Sequence, residues 1–369
     1  MRSDFLELMQ QATRLTQAGD PRGAAAIIQA ALRQGGGESS APTSRPATPP
    51  PFLQGLVIDV DAREVRPERE APIDADPLPD APAPAARGAE FIAGSHAAAG
   101  SERSYRLFVP PGAGTRPLPM VVMLHGCTQT AEDFAAGTAM NELAREQGFF
   151  VLYPQQSAKA NPQRCWNWFK HSHQKRGRGE PALLASMVRE VTARHGIDPK
   201  RVYVAGLSAG GAMAAILGEA YPELFAAVGV HSGLAAGCAA DLPGALAAMK
   251  GSTSKTRGAP ASRMPTIVFH GDADSTVHPD NAQAVIAACA GADLTAEEES
   301  VSHKGRRRAT RRVYRSAQGQ VVAEHWVVHG ASHAWSGGRA SGSYTDARGP
   351  DASAEMLRFF WAQGSHTAR

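Results

Sequence analysis

The pentapeptide Gly206-Leu207-Ser208-Ala209-Gly210 sets a hydroxyl among residues small enough to let two backbone segments pass close together. A serine hydroxyl is a weak nucleophile at neutral pH; it needs a base, and the base needs an acid to orient it. Asp274, in "HGDADSTVHPDN", and His333, in "VVHGASHAWSGG", follow Ser208 in the chain order Ser, Asp, His. The chemistry such a set performs is acyl transfer, in which the serine attacks a carbonyl carbon and the imidazole takes its proton. Two N–H groups must then hold the oxyanion. One belongs to Ala209, the residue after the serine, and the other is expected from the loop "LHGCTQ", where Cys127 is the candidate and Thr128 the nearby alternative. Asp272 competes with Asp274 but reads as a turn cap. His329, His325 and His278 compete with His333; the first two fall at the end of a strand and within it, where an imidazole packs more often than it reacts.

Each of these groups must stand at the end of a strand. "RVYVAG" is a short β-branched run ending at the serine, and an alanine-rich helix begins near Ala209. "MVVMLHG", "FFVLYP" and "TIVFHG" are apolar runs of the kind that form buried parallel strands, and "VVAEHWVVHG" supplies another strand. "SYRLFVP" alternates like an antiparallel strand. "EPALLASMVREVTARHGI" is an amphipathic helix and "DASAEMLRFFWAQ" a closing one. The alternation of strands and helices predicts an α/β domain over residues 91–369, a mostly parallel sheet with helices on both faces.

Two other segments precede it. Phe5, Leu8, Met9, Ala12 and Leu15 recur at helical spacing, "QAGDPRG" interrupts, and Ala24, Ile27, Ile28 and Ala31 resume, which predicts a helical hairpin over 1–34 available for docking or self-association. Residues 35–90 are rich in proline and alanine, the composition of a disordered linker, with "FLQGLVIDV" inside it as a segment brushing the domain surface. Lys plus Arg number 38 against 35 Asp plus Glu in 369 residues, so a net charge of +3 gives no strong pull toward nucleic acid or an anionic membrane. The run "HKGRRRATRR", from His303 to Arg312, lacks interleaved aromatics and reads as a solvated turn and strand face. Four cysteines without a CxxC pair form neither a disulfide scaffold nor a zinc site, and no metal or cofactor is expected. Asp4, Glu7 and the neighbouring glutamines interrupt any secretory apolar run, and no window approaches the ~18 apolar residues of a membrane span.

The segments "LHGCTQTAEDFA", "CWNWF", "RVYVAGLSAGGAMA", "HGDADSTVHPDNA", "HAWSGG" and "SYTDARGPDASAEMLRFF" together resemble the catalytic domain of the short-chain poly(3-hydroxyalkanoate) depolymerase family, whose relatives include feruloyl and acetylxylan esterases. The resemblance spans roughly residues 94–364. It implies an α/β-hydrolase fold, Ser208, Asp274 and His333 as nucleophile, acid and base, and cleavage of a polyester, its oligomers or a small ester. Members of the resembled family are commonly extracellular, whereas no signal-peptide route is read in this chain. Ser332, before the histidine, stands where a glycine is more usual in the family.

Trp335, two residues from the base, is expected to line the ester pocket, with Trp166 and Trp168 as further candidates for substrate binding. Cys127 and Cys165 lie in two motif segments bordering the expected site, and a disulfide between them stands beside the alternative of two buried thiols. Within the same chemistry, a feruloyl, acetylxylan or small-molecule carboxylesterase is the alternative, because a triad does not encode the acyl group. A reading of a different class is a non-catalytic protein that binds a granule or partner through its hairpin and linker.

Overall fold

Apolar runs without alternation belong at the centre of a sheet covered on both faces, and β3 (Leu118–Leu124) and β4 (Phe150–Pro154) are buried along their whole lengths. The computed structural model describes residues 88–98, 100–251, 264–290, 295–302 and 304–364. The hairpin expected over 1–34, the linker up to residue 87 with its "FLQGLVIDV" segment, and His303 lie outside the described residues.

β3 and β4 join β5 (Ile197–Leu207), β6 (Ala227–His231), β7 (Thr266–Gly271) and β10 (Val321–Val328) in a parallel centre. Antiparallel strands flank it on both sides. β1 (Glu90–Ala98) and β2 (Ser101–Val109) extend it beyond β4, and β9 (Ala309–Arg315) and β8 (Thr295–Val301) extend it beyond β10. The order is β1-β2-β4-β3-β5-β6-β7-β10-β9-β8.

Side chains alternate across a strand, so one strand feeds two cores. Met120, Val122 and Leu124 enter one core, and Val121 and Met123 the other. The first core packs under α3 (Gly179–Arg194), α4 (Ala209–Ala220), α5 (Leu242–Met249) and α6 (Asp280–Ala290). The second packs under α1 (Ala131–Thr138), α2 (Met140–Gln147) and α7 (Ala352–Gly364). Among the described residues no helix is long and apolar enough to cross a membrane.

β6 is a central strand that its own composition conceals. "AVGVH" carries alanine and glycine, residues with weak strand preference, yet the glycine has a packing reason. A Cβ at Gly229 would lie 2.8 Å from Met356 Sδ and 2.9 Å from Ala205 Cβ, so its absence lets α7 lie against the sheet. Arginines of that run and just beyond it have local partners: Arg311, Arg312 and Arg315 of β9 pair across the sheet with Glu299, Glu298 and Glu297 of β8.

Candidate active site

The chain reverses direction between β5 and α4, and Ser208 sits at the reversal with φ 58° and ψ −119°. A non-glycine residue in that region costs about 1–3 kcal/mol and persists only where its surroundings hold it. The Ser208 N–H donates to His231 O at 2.9 Å. The flanking glycines are required by space: a Cβ at Gly206 would lie 2.4 Å from the Gly210 carbonyl carbon, and one at Gly210 only 2.0 Å from Leu124 O. The turn therefore presents Ser208 at the carboxyl edge of the parallel strands, where an α/β sheet collects its functional groups.

Asp274 and His333 come from the loops after β7 and β10. His333 Nδ1 donates to Asp274 Oδ2 at 2.7 Å, which leaves Nε2 as the nitrogen available to take a proton. Asp274 Oδ1 accepts the N–H groups of Thr276 and Val277, each at 2.9 Å. Burial pushes this carboxyl up, but hydrogen bonding from His270 and His333 outweighs it and holds Asp274 far below the usual carboxylate range. The acid is thus ionised at neutral pH and fixed on both oxygens. Ser208 Oγ makes no hydrogen bond to His333 in this conformation; such bonds are often long without substrate and tighten when it binds.

The competing residues are placed elsewhere. Asp272 accepts from His329 Nδ1 at 2.8 Å and from the Gly330 N–H at 2.6 Å, which ties the two loops together at the surface. His325 is buried in β10, and burial lowers it to about 3. His278 is exposed, 3.4 Å from Asp280.

His231, at the end of β6, was missed because its strand was missed. Its carbonyl holds the Ser208 amide, and its ring accepts the Ser336 N–H at Nε2 at 2.9 Å, three residues beyond His333. Burial pushes the imidazole well below its ordinary value, so it stays neutral and keeps accepting that bond. One buried residue therefore holds the serine turn through its backbone and the histidine loop through its ring.

The loop after β3 carries the second candidate oxyanion donor. The Thr128 N–H is engaged by Gln163 O at 2.6 Å, while Cys127 N–H has no acceptor among the described residues. Of the two alternatives, Cys127 is the amide left available. Gln129 Oε1 accepts the Gly126 N–H at 2.8 Å and braces the turn. Cys127 is joined to Cys165 by a disulfide. Behind Cys165 lies a buried polar network in which Gln156 Nε2 donates to Cys165 O and to Glu180, and Glu180 also accepts the Asn167 N–H at 2.7 Å. Burial pushes the Glu180 carboxyl up, but His173, Gln156 and Asn167 hold it at about 2. His125 completes the brace: its ring accepts the Gln156 N–H at 3.0 Å, and its carbonyl accepts from the Trp166 indole at 3.1 Å.

The three tryptophans expected at the pocket lie inside the domain. Trp166, Trp168 and Trp335 are 0, 5 and 1% exposed. Trp335 stacks on His231 with ring centroids 5.0 Å apart, meets Phe134 edge-on and donates to Ser353 Oγ. Position two residues from His333 does not determine which way a ring points; here it points into the core and supports the loop. Among the described residues no cluster of three His, Cys, Asp or Glu side chains is placed to hold a metal ion.

The model of the family described as esterase PHB depolymerase matches residues 103–311. That span contains Cys127, Ser208 and Asp274 but ends before His333, whose assignment rests on its bond to Asp274. Poly(3-hydroxyalkanoate) depolymerase C of Paucimonas lemoignei is 33% identical over 234 residues, 58% of this chain and 54% of that protein. Feruloyl esterase B of Thermothelomyces thermophilus is 33% identical over 223 residues, 54% of this chain and 74% of that protein. The chain thus spans about half the length of the depolymerase. An acetyl xylan esterase structure from Aspergillus awamori matches with a TM-score of 0.57 at 22% identity, over 70% of this chain and 94% of that one. This likeness and the strand order make the fold that of an α/β-hydrolase.

Proposed function

The chain belongs to the esterase PHB depolymerase family, and from that premise we propose that it is a serine esterase cleaving ester bonds of short-chain polyhydroxyalkanoate or its oligomers through an acyl-enzyme. The observation that carries this reading is the Asp274–His333 hydrogen bond at the sheet edge that also presents the strained Ser208. His333 Nε2 takes the Ser208 proton as Oγ attacks the ester carbonyl, and Asp274 holds the Nδ1–H tautomer and stabilises the imidazolium. The amides of Cys127 and Ala209 receive the oxyanion. The imidazolium then protonates the departing alcohol, and water activated by His333 releases the acid and restores Ser208.

A second reading, a feruloyl or acetylxylan-type ester, is favoured by the feruloyl esterase, 74% of whose length the chain covers. The test compares the protein with Ser208→Ala on nitrophenyl esters of graded length, hydroxybutyrate oligomers, polymer film and feruloyl esters. The variant is expected to lose a factor of about 10⁴–10⁶ in kcat; most activity retained would overturn the serine assignment. High feruloyl turnover with none on oligomer or film would select the second reading.

A further inference from the structure

We propose that Tyr344 is the aromatic residue that contacts the bound ester and determines its preferred chain length, a proposal that rests on the esterase reading above. The expected aromatic wall is absent from the tryptophans, which are buried, whereas Tyr344 is 47% exposed. It lies between the two halves of the site. Its carbonyl accepts the Trp335 N–H at 2.7 Å, which binds it to the histidine loop, and its hydroxyl lies 3.2 Å from Oγ1 of Thr128, the residue after Cys127.

The proton placement in that contact follows from the neighbours. Thr128 Oγ1 donates its single hydrogen to Cys127 O at 2.6 Å, so the Tyr344 hydroxyl is the donor to Thr128. The bond holds the ring in one orientation while leaving a face open to solvent. The backbone supports the same conclusion. Tyr344 has φ 52° and Thr128 φ 67°, so two bulky side chains that meet at their tips both stand on left-handed residues. A bulky residue there is an outlier, and such strain collects where a side chain must be aimed. The neighbouring backbone is clamped to keep it so: the Ser343 N–H donates to Asp133 Oδ1 at 2.9 Å, and Gln129 Nε2 donates to Ser343 O at 3.1 Å. A flat ring pre-oriented beside the oxyanion donor matches the apolar chain of an ester longer than acetate, because apolar contact there gains with each methylene.

Kinetics of the full chain, Tyr344→Phe and Tyr344→Ala on nitrophenyl acetate, longer nitrophenyl esters and hydroxybutyrate oligomers test this. Tyr344→Ala is expected to raise KM on the longer esters and oligomers by about tenfold, with KM on acetate changed less than about twofold and kcat retained on all. Tyr344→Phe is expected to keep the chain-length preference of the parent. An unchanged preference in Tyr344→Ala, while the parent remains active and Ser208→Ala is inert, would overturn the role of Tyr344 and leave the esterase reading standing. Equal loss of kcat on every ester in both variants would also overturn it, by making Tyr344 a support of the oxyanion loop. Absence of ester turnover by the parent chain would overturn both.

Discussion

Two histidine–aspartate pairs lie next to each other, built from the same two loops. His333 and Asp274 meet at 2.7 Å, His329 and Asp272 at 2.8 Å, and in both pairs Nδ1 faces Oδ2. Hydrogen-bond length does not distinguish them. Their surroundings do: the Asp274 side chain is fully buried, while the His329 and Asp272 side chains are 41 and 40% exposed. The free nitrogens also differ. His329 Nε2 is occupied by Thr310 Oγ1 at 2.9 Å, whereas His333 Nε2 has no partner among the described residues. Burial, a vacant nitrogen and a serine on a strained turn separate the pair proposed for catalysis from the one that laces two loops together.

The sharpest way to break this comparison is to neutralise each carboxylate in turn. Asp274→Asn is expected to lower kcat by about 10⁴, because the amide favours the wrong imidazole tautomer, measured on nitrophenyl acetate with Ser208→Ala as the floor. Glu180→Gln asks whether burial with several donors makes a carboxylate chemical or only structural. Its folded value of about 2 lies below the ordinary 4.5, so its stabilisation is complete above about pH 4.5 and is lost as the pH falls toward 2. The shift corresponds to roughly 3 kcal/mol. Glu180→Gln is accordingly expected to be destabilised at pH 7, and the gap from the parent to close between pH 4.5 and 2, read by urea midpoints across that window. Asp272→Asn should have the smallest effect, at most about 1 kcal/mol of stability and less than tenfold in kcat/KM. An Asp272→Asn loss matching that of Asp274→Asn would remove the distinction between the pairs.

Much of this site could be read in the sequence because steric demand leaves a mark there. Gly206 and Gly210 are small since carbonyl groups occupy the space a Cβ would take, and apolar runs such as Leu118–Leu124 announce a strand covered on both faces. The rest depended on tertiary neighbours. β6 and its His231 were hidden because Gly229 serves α7 rather than its own strand. The tryptophan expectation rests on residue type and, for Trp335, on its position near His333, neither of which carries direction, so the burial of Trp335 and the exposure of Tyr344 are not legible there. Cys127 is preferred over Thr128 in the sequence, but that Gln163 O occupies the Thr128 amide is a tertiary contact that no local pattern carries.

The arginine–glutamate ladder between β9 and β8 has a consequence for how the molecule ends. Among the described residues β8 is the last strand of the sheet, and the outer edge of such a strand offers peptide groups to any other extended chain. Glu297, Glu298 and Glu299 stand exposed on it, held in place by arginines from the strand behind. An incoming strand would have to desolvate three carboxylates that are already partnered. Arginines that by count alone point toward nucleic acid are thus spent on an edge whose charges oppose the addition of another strand.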